Sequence, residues 1–267
     1  MVAKLSQQQL NIFQKNPWGA KTVNFIKGCS NDCMHCFSKA YSIRVKRKTR
    51  ENWKDEVVNP DYKNWVVKFH EGGFMFPQSH DINPQHIEEG IFMLNKILGA
   101  GNDVFYVTKP HLICIQRICN EFPDYKNQLH FCFTIGSTNS ETLKFWEPGA
   151  TDFDERLACL KLAFSLGFKT SVSSEPLLDK GIDDLVEKLT PYITHHIWFG
   201  KMNNPRQMLG MNGYNDSETL ERLEDLIRFQ NDSDFIKSYY KKYIDNPKVE
   251  WKENYRKEIL NDFQKKC

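Results

Sequence analysis

Residues 22–38 read TVNFIKGCSNDCMHCFS, an apolar stretch that runs into three closely spaced cysteines. The first part, 22–28, is rich in β-branched and aromatic residues and ends at a glycine, the pattern of a strand feeding a loop. The second part, 28–38, carries Cys29, Cys33 and Cys36 in a C-x3-C-x2-C spacing. In a reducing setting, thiols this crowded hold metal more often than they form disulfides. A structural zinc ion needs four ligands, so zinc would have to recruit His35 or a distant residue, and His35 is poorly placed between Cys33 and Cys36. A cubane iron–sulfur cluster is commonly held by four cysteines. With three, one iron keeps an open position for a substrate or cofactor. Gly28 would let the backbone turn tightly beside it. The spacing predicts such an open site on Cys29, Cys33 and Cys36, with zinc as the competing reading.

Working outward, five more short segments read as strands bounded by turn formers: 64–69, 103–109, 129–135, 169–175 and 195–201. Helical patterns lie between them. Residues 84–101 open with proline, place Ile87, Ile91, Leu94 and Leu98 on one face and stop at glycine. Residues 152–167 start at an Asp152 cap, with Glu155 at the capping-box position and Leu157, Leu160 and Phe164 on one face. Residues 181–193 form a shorter helix. Strands alternating with helices imply βαβ crossovers and a parallel sheet. Eight such units would close a full barrel. The six visible here predict an α/β fold, a partial (β/α)6 TIM-like barrel, over residues 1–215. Residues 216–267 read as a helical C-terminal extension packed on that barrel.

The C-terminal ends of parallel barrel strands make the active site. Here each predicted end is polar: Cys29 after the first; Ser79, His80 and Asp81 after the second; Thr108 and Lys109 after the third. Thr134, Ser137 and Thr138 follow the fourth, Ser173, Ser174 and Glu175 the fifth, Lys201 and Asn203 the sixth. Any one of these is explained by a loop beginning there. Six together, one of them a cysteine motif, predict a shared pocket.

The totals bound the rest. A 267-residue chain that is 40% hydrophobic and 26% charged is a soluble globular composition, and a net charge of +2 neither suggests nor excludes nucleic acid. The start, MVAKLSQQQLNIF, lacks the apolar core of a signal peptide, and no apolar run reaches the length of a membrane span. A cytoplasmic location with no membrane partner is the expectation. Of the eight cysteines, Cys114, Cys119, Cys132 and Cys159 are scattered and read as small buried hydrophobes.

On these residues the chain resembles the radical S-adenosylmethionine superfamily, whose signature is C-x3-C-x2-C. Within it the chain is similar to the spore photoproduct lyase-like group and its phage-encoded relatives. The likeness is carried by FPQSHDINPQHIEEG, VFYVTKPHLI, WEPGATDFDERLACLKLAFSLGFKTSVSSEPLL and VEWKENYRKEI, in that order, over roughly 20–260. The resemblance implies a [4Fe–4S] cluster on Cys29, Cys33 and Cys36, with S-adenosylmethionine bound at the open iron. A one-electron reductant of flavodoxin or ferredoxin type would drive its cleavage to a 5′-deoxyadenosyl radical, which abstracts a substrate hydrogen. The backbone near His35 and Phe37 would meet the adenine. Ser79, Lys109 and Thr134 sit where the family contacts the cofactor, and Ser174 and Glu175 would reach its ribose or amino group. Glu147 and Arg156 read as a structural pair. The lyase's hydrogen-donating cysteine has no counterpart in GGFMFPQS, so its dimer-reversing activity is not assigned here.

For the substrate, nucleic acid is the first reading. YSIRVKRKTR (41–50) holds five cations, and KSYYKKYI (237–244) interleaves tyrosines with lysines. Solvated helix faces explain both segments as well. A small-molecule or peptide modifier with the same cofactors is the alternative, although no second tight cysteine cluster exists for an auxiliary centre. The third reading is a zinc-stabilised nucleic-acid-binding module without catalysis.

Overall fold

A computed structural model describes residues 21–257; Cys267 and the outer limits of the two expected units lie outside it. Its strands are β1 (Lys21–Thr22), β2 (Ile26–Lys27), β3 (Val57–Val58), β4 (Phe74–Phe76) and β5 (Val104–Thr108). They continue with β6 (Leu129–Thr134), β7 (Lys169–Ser174), β8 (Ile197–Phe199) and β9 (Val249–Trp251). Seven form one sheet in the order β1-β4-β5-β6-β7-β8-β9, and every neighbouring pair is parallel. Because that order follows the chain, the winding never reverses and the crossovers collect on one face. The two edges, β1 and β9, do not pair with each other, so the barrel stays open.

The crossover helices are α1 (Phe37–Arg44), α2 (Ile87–Gly99), α3 (Leu112–Glu121), α4 (Ser140–Trp146) and α5 (Phe153–Ser165). After these come α6 (Ile182–Leu189), α7 (Pro205–Asn212), α8 (Ser217–Gln230) and α9 (Ser233–Tyr243). Alternation along the strands separates two environments. Phe76, Tyr106, Phe131, Phe133, Val172, Phe199 and Trp251 face the helices and join the main core. Phe105, Cys132 and Trp198 form a separate cluster on the opposite, concave face. Among the described residues no helix is long and apolar enough to cross a membrane.

Three expectations need correction. The segment 64–69 is not a strand: Val66 and Phe69 are exposed, and the place is taken by β4. Side chains, not a neighbouring strand, hold its backbone. Lys96 donates to Trp65 O, and Asn102 binds Lys68 O and His70 N. With only three residues before Pro77, β4 is too short to show alternation. The first strand is also divided, since Lys21–Thr22 joins the sheet while Ile26–Lys27 pairs antiparallel with Val57–Val58. Finally, the C-terminal region is not wholly helical: Val249–Trp251 completes the sheet beside β8.

Helix α5 shows how a polar residue can hide a core face. Asp152 caps it as expected, its Oδ1 accepting the Glu155 N–H at 2.9 Å. Its buried side, however, runs through Phe153, Arg156, Cys159, Leu160 and Ala163, and Phe164 is exposed. Glu155 accepts from Leu112 N instead of closing a capping box.

Trp251 is buried and packs against Phe199, Tyr240 and Tyr255. Trp251→Ala is therefore expected to cost about 3–5 kcal/mol, read by urea denaturation. A loss below about 1 kcal/mol, the size of an ordinary surface change, would mean that β9 is an appendage to the sheet.

Candidate active site

The cysteine loop leaves β2 through Gly28, whose φ is +98° and where a Cβ would meet Trp53 O at 2.6 Å and Asp55 O at 2.7 Å. Only glycine fits that approach. Four distant segments then hold the loop's backbone and polar groups. Cys29 N donates to Trp53 O and Ser30 N to Glu56 Oε1. Asn31 donates to Asp81 Oδ2 at 2.7 Å, and Asn83 reaches Ser30 Oγ and Glu56. Met34 N donates to Trp146 O and Gly149 N to Asn31 O, at a spot where any side chain on Gly149 would overlap Ser30 O. Asn212 donates to both Met34 O and Cys36 O, while Lys39 pairs with Asp32 at 2.6 Å beside Tyr214.

This scaffold sets Cys29 and Cys33 (buried) and Cys36 (half-buried), all free thiols, into one cavity with Ser79, His80, Asp81, Thr108, Lys109 and Thr134. The ends of β4, β5 and β6 thus meet over the thiols. Asp81 joins two walls, since its Oδ1 accepts the Lys109 N–H at 2.9 Å while its Oδ2 holds Asn31.

Beneath the loop lies a buried carboxylate. Glu147 pairs with Arg156 at 2.7 Å, with Lys109 at 3.7 Å and with His35 at 3.6 Å; Glu147 is 1% and Arg156 0% exposed. Arg156 also donates to Thr151 O and Thr134 O, tying the Glu147 turn to the end of β6. Burial pushes the Glu147 carboxyl up, but Arg156, Lys109 and His35 outweigh it and hold its pKa below the usual carboxylate value. Burial works against the Lys109 ammonium, yet Cys33, Glu147 and Asp81 raise its pKa overall. His35 is pushed down to about 4, chiefly by burial, with Glu147 opposing and Lys109 and Arg156 assisting, so its ring is neutral near pH 7.

The family model of the Radical SAM superfamily matches residues 23–190, from the lead-in to the cysteine loop through α6. The chain belongs to the Radical SAM superfamily. None of the curated proteins matches it. Radical SAM proteins are enzymes that use a [4Fe–4S] cluster and S-adenosylmethionine.

The residues of this radical SAM protein fit such a cluster. Burial raises the pKa of all three thiols, most strongly in Cys29 and Cys33, so bare thiols would stay protonated, whereas a bound metal deprotonates them outright. Cys36 Sγ already accepts the Lys39 N–H at 3.3 Å, as a ligating thiolate does, and Lys109 brings positive charge to the same cavity. Among the described residues, no three His, Cys, Asp or Glu side chains are gathered as ligands of a single ion.

Of the other sequence-predicted positions in the radical SAM chain, Ser79, Lys109 and Thr134 line the cavity. His35 points away to Glu147, and Phe37 opens α1 with its side chain in solvent. Ser174 turns toward the helices, where its hydroxyl donates to Ile135 O at 2.6 Å. Strand parity puts Ser173 on the concave side instead. Glu175 lies elsewhere, in a second polar group with Lys252 (3.4 Å), Asn203 and Asn254. Ser137 donates to Asp179 and does not reach the thiols. The sequence reading paired Glu147 with Arg156 but missed Lys109 and His35 as further partners, and it missed Glu56, Asn83 and Asn212. No local pattern marks residues whose role is to meet a loop far away in the chain.

Glu147→Gln leaves Arg156 and Lys109 buried without compensation and is expected to cost about 3–5 kcal/mol at neutral pH. The folded pKa lies below the unfolded value of about 4.3, so the carboxylate's contribution is complete above that pH. It is lost as pH falls through the folded value. Denaturation of both proteins across pH should give a constant gap from neutrality to about pH 5 that narrows below it. A gap independent of pH would show that the charge of Glu147 is not what stabilises.

Proposed function

We propose that this chain holds a [4Fe–4S] cluster on Cys29, Cys33 and Cys36 and uses it to cleave S-adenosylmethionine reductively. The observation that carries this reading is the meeting of three free thiols with Lys109, Ser79 and Thr134 in one cavity at the strand ends. When bound, the cluster and its cofactor supply a 5′-deoxyadenosyl radical that takes a hydrogen atom from substrate. The chain's own part is placement and exclusion of water. Lys109 offers its ammonium to the cofactor carboxylate, a charge-assisted bond, while Glu147 pairs with that ammonium from behind and Asp81 fixes the Lys109 backbone N–H. The hydroxyls of Ser79 and Thr134 supply hydrogen bonds to the cofactor's polar groups.

For the substrate we favour a nucleic acid base. The ordered likeness to the spore photoproduct lyase-like group supports this. The segment 237–244 lends no support. Tyr240 packs on Trp251, and Tyr243 and Lys242 are bound to Asp183.

Anaerobic reconstitution, chemical reduction and detection of 5′-deoxyadenosine test the activity. Deuterium carried into that product from a deuterated DNA oligonucleotide tests the substrate, and a small-molecule or peptide modifier would show none. Alanine at Cys29, Cys33 or Cys36 should abolish iron and sulfide incorporation while leaving the far-ultraviolet circular dichroism intact. Wild-type iron in all three variants would refute the ligand assignment.

Lys109→Ala should retain iron but bind S-adenosylmethionine roughly ten- to hundredfold more weakly, the loss of about 1.5–3 kcal/mol that goes with a charge-assisted bond. Lys109→Gln should recover part of it. A variant that melts earlier but titrates with unchanged affinity would make Lys109 a strut for Glu147 alone.

A further inference from the structure

Helix α1 begins at Cys36, whose sulfur caps it, and runs straight to the surface. Its inner side, Lys39 and Ala40, is buried, with Lys39 tied to Asp32. Its outer side is apolar where a surface helix should be polar. Phe37, Tyr41 and Val45, at i, i+4 and i+8, make one stripe and are 67%, 37% and 38% exposed. The Phe37 and Tyr41 rings stack with centres 6.3 Å apart. Basic side chains lie across the middle of the stripe and at its end. Arg44 and Arg47 stand 5.3 and 5.8 Å from the Tyr41 ring centre, and exposed Lys46 turns the chain at φ +57°. Among the described residues, none of Arg44, Lys46 and Arg47 has a carboxylate partner. Their neighbours differ, for Lys48 binds the carbonyls of Asn52 and Asp55, and Arg50 those of Gly210 and Met211.

We propose that this face of α1 is the docking site for the acidic electron-transfer protein that reduces the chain's cluster. The inference rests on the function proposed above, which requires one electron to be delivered at the cysteine loop. That electron leaves the reduced partner and enters the cluster, and no atom is exchanged. The other sides of the loop are covered by Trp53, Asp81, Trp146 and Asn212, whereas α1 leads from a ligand position to solvent. Exposed aromatic side chains with arginines packed on them are the composition of a protein interface and of its hot spots. The positive sign of Arg44, Lys46 and Arg47 selects an acidic partner and steers its approach.

The test uses the full chain with its cluster reconstituted, and as probe an oxidised flavodoxin of net negative charge. The variants are the double Arg44→Glu/Arg47→Glu and the single Tyr41→Ser. Calorimetry should show wild-type binding that weakens with salt. Each variant should weaken it by at least about tenfold. Formation of 5′-deoxyadenosine with dithionite should be unchanged in both variants, while the flavodoxin-driven rate at limiting flavodoxin falls in step with the affinity. Unchanged flavodoxin affinity in both variants would overturn the proposal. So would failure of the wild type to bind either flavodoxin or a plant-type ferredoxin. Loss of binding to a single-stranded DNA oligonucleotide, with flavodoxin binding retained, would overturn it in favour of a nucleic acid surface. If dithionite yields no 5′-deoxyadenosine with wild-type protein, the proposed function fails, yet the binding comparison still decides the docking site.

Discussion

A single buried carboxylate organises the site. Glu147 sits at the C-terminal end of α4, out of water, and is tenable there because Arg156 and Lys109 offset its charge, with the neutral His35 ring beside it. Each partner belongs to a different part of the fold: Arg156 to the buried face of α5, Lys109 to the end of β5, His35 to the cysteine loop. A low-dielectric interior makes such contacts strong and makes leaving any one unmade expensive. Loop, sheet and helix layer are thereby held in register around one charge. The three thiols inherit that register through Met34 and Asn31, which bond to the backbone on either side of Glu147.

The arrangement also explains a division of labour among the polar residues. The concave side near β4, β5 and β6 carries the thiols, Lys109 and Asp81, a region of dense opposite charge. The far side near β7, β8 and β9 carries Glu175, Lys252 and Asn254 beside Trp198. Between them lies the apolar patch of Phe105, Cys132 and Val107. A parallel sheet with one winding direction makes this possible, because every strand end opens on the same rim.

Much of the fold is legible in sequence because it is local. Residues 104–108, 129–134, 169–174 and 197–199 stand within the expected strands, since β-branched and aromatic runs between turn formers need no distant information. The thiol spacing and Gly28 are local signals too. What failed depends on partners far along the chain. Residues 64–69 have strand composition but no strand to pair with, and Phe74–Phe76 has one. Val249–Trp251 looks like charged tail until β8 is there to receive it. Leu157 and Phe164 were expected in the core face of α5, but the buried face runs through Arg156, which leaves Leu157 half-buried at the edge of the core and Phe164 exposed.

The supports of the cysteine loop carry a consequence for how the protein is made. Cys36 is held by Asn212, which lies 176 positions later in the chain. At bacterial or eukaryotic elongation rates that interval lasts roughly 10–40 s. Throughout it Cys36 travels on an unfinished chain without that contact, and its thiol is open to oxidation. The fold closes over this end of the loop only after residue 212 has been made.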